Sequence, residues 1–90
     1  MDHFMIDDIL KERGNNYGSF YSNALISQAL KHTIKHGSTY NELSYCQKEA
    51  LDMIVHKIAR IVNGDNTYLD SWIDIIGYSQ LVIDEMNKPT

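Results

Sequence analysis

Residues 44–63, SYCQKEALDMIVHKIARIVN, decide the fold. Ser44 followed three positions later by Gln47 is the pattern in which each side chain satisfies the other's free backbone amide at a helix start. Leu51, Ile54, Val55, Ile58, Ile61 and Val62 then recur at helical spacing and form one face. Glu49, Asp52, His56, Arg60 and Asn63 fall on the opposite face. This separation predicts a helix over 45–63, one side for packing and one for solvent or a ligand.

Downstream, Gly64-Asp65-Asn66 reads as a turn into a last helix over about 67–86. Leu69, Trp72, Ile73, Ile76 and Ile83 make its apolar face, yet Ile75, Tyr78, Leu81 and Val82 lie on the other side with Asp70, Asp74 and Glu85. In a 90-residue chain, a helix apolar on two sides is expected to be buried in a subunit interface, which predicts a homo-oligomer. Upstream, the pattern predicts a helix over about 19–36, with Ser19 as N-cap and Ser22, Leu25, Ile26, Ala29, Leu30 and Thr33 as its inner stripe. A first helix is expected over about 3–13, with Phe4, Met5, Ile9 and Leu10 apolar and Asn15-Asn16-Tyr17-Gly18 as the following turn. Gly14, Gly37 and Gly64 each follow an amphipathic stretch, where a left-handed terminating residue is expected. The only proline, Pro89, lies beyond these segments. The fold class is therefore all-α: about four helices in a compact bundle, one domain over 1–90.

Eight basic against twelve acidic residues, a net charge of −4, argue against sequence-independent duplex binding, which needs a strong cationic field. A small anion held by a few local bases remains compatible with that balance. Cys46 is the only cysteine, so the chain can form neither an internal disulfide nor a thiolate-rich metal site; a buried structural thiol is expected. The acidic start, MDHFMIDDIL, lacks the basic region of a secretory signal, and no apolar run approaches the ~20 residues of a membrane span. A cytoplasmic protein without membrane contact is expected.

Two constellations carry possible chemistry. Glu49 and Asp52 share a face of one helix, and Asp70 and Asp74 share a face of the next. Clustered carboxylates attract Mg²⁺, with Glu49, Asp52 and Asp74 as the expected ligands and all four acids as catalytic candidates. The simpler reading is a solvated face with ion pairs one turn apart. The second constellation is basic and aromatic: Lys57, Arg60 and His56 with Tyr17, Tyr21, Tyr68 and Tyr78 near helix ends. Guanidinium and ammonium groups bind phosphate, and flat rings stack on a base. Its simpler reading is tyrosines half-buried for packing. Asn66-Thr67, opening the last helix, would also offer free amides to an anion. His32 and His36 have helical zinc-site spacing but lack an obvious third ligand. No phosphate-binding glycine loop, dinucleotide fingerprint or nucleophile elbow is present.

The segments ILKERG (9–14) with Tyr17-Gly18, EALDMIVHKIARIVNGD (49–65) and DSWIDIIGY (70–78) resemble a small phage and prophage family of unassigned function, over about residues 9–84. The same order is more loosely similar to phage domains associated with nucleotide modification and to the all-α MazG-type nucleotide pyrophosphohydrolases. The MazG group binds Mg²⁺ through Glu and Asp on paired helices; Glu49, Asp52, Asp70 and Asp74 would stand in here, while its tandem-glutamate first motif is absent. The resemblance implies, first, a phage protein in the host cell that binds, and so sequesters, a nucleotide-like molecule such as a host defence signal, with no cofactor. Its alternative is Mg²⁺-dependent nucleotide pyrophosphohydrolysis. A third reading is a protein-binding inhibitor of a host defence complex, with an acidic surface mimicking nucleic acid.

Overall fold

The computed structural model describes residues 3–89, with side chains from Ile6 onward. Within them the chain is all helical: α1 (His3–Tyr17), α2 (Phe20–Ile34), a short 3-10 turn (Tyr40–Glu42), α3 (Tyr45–Asn63) and α4 (Leu69–Met86). The predicted cap of α3 is formed. Ser44 Oγ accepts from the Gln47 amide at 3.1 Å, and Gln47 Oε1 accepts from the Ser44 amide at 2.9 Å. Ser19 likewise caps α2, accepting from the Ser22 amide at 3.2 Å.

α3 is the central element and packs against the other three helices, most extensively against α4 and α2. Its Ala50, Val55, Ala59 and Ile61 are the buried hydrophobic side chains of the described chain. α4 runs back along α3, so that Gln47 at the start of α3 reaches the Met86 sulfur at the end of α4. Between them, Lys57 Nζ and Asp74 Oδ2 form an ion pair at 2.8 Å.

Three expectations about faces are corrected. α4 turns the line Ser71, Ile75, Tyr78 and Val82 inward, leaving Leu69, Trp72, Ile73, Ile76 and Ile83 exposed. On α2, Asn23 and Ser27 are the buried positions, whereas Leu25, Ala29 and Thr33 face solvent. On α3, Ile58 and Val62 are exposed, while Asp52, His56, Arg60 and Asn63 on the supposedly solvated side are half-covered. Small and polar residues allow helices to approach closely where long aliphatic chains would hold them apart. Cys46, expected to be buried, is exposed in the first turn of α3. Phe4 and Met5 lie outside the described side chains.

The glycines differ from expectation too. Gly14 lies inside α1, which continues to Tyr17, and Gly18 is the residue with a left-handed backbone, at φ 79°. Its amide donates to the Gly14 carbonyl at 2.9 Å, closing the last turn. Gly37 and Gly64 do not have positive φ. At Gly64 the requirement is close approach: a Cβ there would fall on the Asn16 carbonyl oxygen and the Tyr17 backbone. A Cβ on Gly18 would fall on the Asn63 carbonyl. The ends of α1 and α3 therefore cross backbone to backbone, locked by the Asp65 amide donating to the Asn16 carbonyl at 2.8 Å.

Asparagines satisfy the polar groups around this crossing. Asn23 Nδ2 donates to the Tyr17 carbonyl at 2.7 Å. Asn63 Nδ2 reaches Asn23 Oδ1 at 3.2 Å and the Ser19 carbonyl at 3.3 Å. The two glycine types should separate cleanly on substitution. Gly64→Ala is expected to cost about 2–3 kcal/mol through backbone overlap. Gly14→Ala, whose Cβ meets nothing within 4 Å, should gain about 0.5–1 kcal/mol of helix stability. Urea unfolding monitored by circular dichroism measures both.

Candidate ligand-binding site

The crossing leaves a cleft of about 420 Å³ beside it, between the last turns of α1, the first turn of α2 and the last turns of α3. Leu10, Arg13 and Tyr17 line it from α1, Phe20 and Asn23 from α2, and His56 and Arg60 from α3. Tyr17, His56 and Arg60 had been singled out from sequence; the structure brings them together. Four turns of helix carry them to one place because Gly18 reverses the chain and Gly64 lets α3 end against it.

Arg60 lies over the Tyr17 ring, its guanidinium carbon 4.3 Å from the ring centroid. A cation over a ring face is attracted by the ring's quadrupole, and a guanidinium so placed keeps N–H groups with which to donate. Tyr68 meets the same Tyr17 ring edge-on, centroids 5.6 Å apart. The Tyr17 hydroxyl, and then the charge of Asp70, push the Tyr68 phenol above its ordinary pKa. No carboxylate is among the residues lining the cleft, and Arg13 and Arg60 make no ion pair among the described residues. The N-terminus of α2 opens onto the same space through Ser19 and Phe20, adding the positive end of a helix dipole.

His56 reports that field. Its pKa is lowered first by burial, then by Arg60, Lys31 and Lys57, so the imidazole is held neutral beside the arginines. An anion entering the cleft would oppose those cations directly.

The other expected site residues lie elsewhere. Lys57 points to α4 and Asp74, contributing to the cleft only through its charge on His56. Tyr21 is exposed on α2, and Tyr78 is half-buried on α4. Glu49 is exposed on α3, Asp52 is half-covered, and Asp70 sits in the first turn of α4. These acids do not gather: among the described residues there is no group of three or more His, Cys, Asp or Glu side chains able to hold a metal. His32 and His36 stack edge-on at 5.0 Å, and the His36 Nδ1–H donates to the His32 carbonyl.

The expected anion site at Asn66-Thr67 is already filled by the protein itself. Asp65 Oδ1 accepts from the Thr67 amide at 2.8 Å and from its hydroxyl at 2.6 Å, which holds the Asp65 carboxyl below its usual pKa. Sequence reasoning missed Arg13, Phe20 and Asn23. The available signal was the spacing Arg13–Tyr17, one helical turn, which becomes a shared face once α1 continues past Gly14.

The chain matches no family model, no curated protein and no solved structure. Among the described residues, no helix is long and apolar enough to cross a membrane.

Because folding lowers the His56 pKa below 6.5, the unfolded chain takes up the proton more readily. The stability that this group contributes is present above pH 6.5 and is lost as pH falls through the folded-state value. The fall in melting temperature from pH 7.5 to pH 5 should therefore be shallower in His56→Gln than in the unsubstituted protein. Parallel slopes in differential scanning calorimetry would remove this account of His56.

Proposed function

We propose that the chain binds an anionic, nucleotide-like small molecule in the cleft between α1, α2 and α3. The observation that carries this reading is a pair of arginines, Arg13 and Arg60, converging on a cleft that contains aromatic rings and no carboxylate. Arg60, held over the Tyr17 ring, donates to a phosphate-like group through charge-assisted hydrogen bonds. The N-terminus of α2, which borders the cleft at Ser19 and Phe20, adds the positive end of its dipole. Phe20, 83% exposed at the rim, offers a face on which a base or similar flat group stacks. The volume suits a ligand of nucleotide size. Binding without turnover gives the protein a sequestering role, and resemblance to small phage and prophage proteins directs that role toward withholding a host defence signal.

Hydrolysis with Mg²⁺ lacks a comparable assembly, since Asp74 is engaged by Lys57 and the other acids lie apart from the cleft. The local charge also explains how an acidic chain of net −4 can recognise an anion: the cleft is lined by Arg13 and Arg60 and by no carboxylate.

Isothermal calorimetry against a panel of mono-, di- and cyclic nucleotides tests the reading. Removal of one charge-assisted contact costs about 2 kcal/mol, so Arg60→Ala should weaken binding ~30-fold. Arg13→Ala should act in the same direction, and the exposed Glu49→Gln should leave affinity unchanged. Affinity should fall as salt rises, as expected for a partly exposed charged site. No heat with any nucleotide, or equal affinity in Arg60→Ala, would overturn the proposal.

A further inference from the structure

The outer surface of α4 is more apolar than its inner one. Leu69, Trp72, Ile76, Ile83 and Met86 are exposed and fall on one stripe with Ser79, at the alternating three- and four-residue spacing of a helix–helix seam. Ile73 widens it. Exposure reaches 68% at Ile76 and 67% at Met86. We infer that this stripe is the seat of a second copy of the same chain, α4 packing against α4 about a two-fold axis. The inference is independent of the ligand proposed for the cleft.

Surface area argues for a permanent partner. The chain exposes 6941 Å², whereas a folded monomer of its mass is expected to expose about 5,400 Å². The excess of about 1,500 Å² is spread over the chain, α1 as well as α4, and is larger than the ~800 Å² that each partner buries in a standard interface. The radius of gyration is 15.6 Å, against about 12 Å for a globular chain of 90 residues. No large side chain among the described residues is fully buried. A fold so short of core needs its cover whenever it exists, and the partner present wherever this chain is made is another copy of it.

Charge placement favours self-pairing. The positions flanking the stripe on either side, Tyr68, Ile73, Ile75, Gln80, Val82 and Asn87, carry no charge. Asp70, Asp74, Asp84 and Glu85 all lie farther round the helix, so four acids on each copy do not face one another. Self-association of an acidic helix usually meets like-charge repulsion; this arrangement avoids it.

Trp72 is the only tryptophan and stands within the stripe, half exposed, its indole N–H donating to the Asn66 carbonyl at 3.0 Å. It is therefore a built-in reporter. Light scattering of the purified chain should give twice its 10.4 kDa mass, or an even multiple of it. On dilution, Trp72 emission should shift to the red as the mass falls. Ile76→Glu should lower the mass by at least half at matched concentration, while Leu81→Glu, also exposed but off the stripe, should leave it unchanged. If Ile76→Glu does not fold, the concentration dependence of mass, emission and melting temperature in the unsubstituted chain decides the matter. A cooperatively folded monomer from micromolar to millimolar concentration, an Ile76→Glu protein of unchanged mass, or equal dissociation by Leu81→Glu would overturn the inference.

Discussion

The crossing of two backbones at Gly18 and Gly64 is the constraint on which the rest of this chain's organisation depends. Neither position has room for a β-carbon, because each glycine lies against the backbone of the other helix end. That contact fixes where α1 stops, where α2 starts and how α3 leaves the bundle. It also creates a local demand for polar satisfaction, since helix ends release carbonyls and amides that lack partners within the helix. Asn23 and Asn63 meet the demand with short, directional side chains, and Asp65 adds its amide to the Asn16 carbonyl.

The cleft follows from this joint. Tyr17 stands at the last position of α1, so the carbonyl held by Asn23 and the ring carrying Arg60 belong to the same residue. Movement at the crossing would therefore move the guanidinium. Two cations in the second half of α3 have different tasks. Lys57 closes the α3–α4 contact through Asp74, whereas Arg60, one turn later, stays without a carboxylate and faces the cleft. His56, next to both, remains neutral and completes a polar wall without adding a permanent charge.

α4 shows a different economy of surface. It meets α3 through the line Ser71, Ile75, Tyr78 and Val82, and leaves much of its large aliphatic and aromatic surface outside. Apolar area left in water forgoes about 25 cal/mol for each Å² that could have been removed from it. For a chain of 90 residues, whose monomer already has little interior, that loss is a large part of any net stability. The same helix therefore links the bundle's internal packing to its assembly.

Residues 44–63 determined by themselves that α3 exists, where it begins and which residue pair caps it, because capping and helical periodicity are local physics. The number and type of the elements, and the shared face of His56 and Arg60 on α3, were legible for related reasons: spacing along a helix fixes which side chains share a face. That Tyr17 of α1 lies beside them was decided by the crossing of the helix ends. Which face turned inward was decided only by the tertiary structure. On α4, two lines of apolar residues were available, and α3 took Ser71, Ile75, Tyr78 and Val82, which hydrophobicity does not rank higher. At Gly14, the local cost of a glycine inside a helix, about 1 kcal/mol, was outweighed once Tyr17 gained its contacts with Asn23, Arg60 and Tyr68. Arg13 joined the cleft through that extension, and the Thr67 amide, away from the cleft, is taken up by Asp65. Periodicity can place a residue on a face, but the choice among faces is made by the shape of what packs against them.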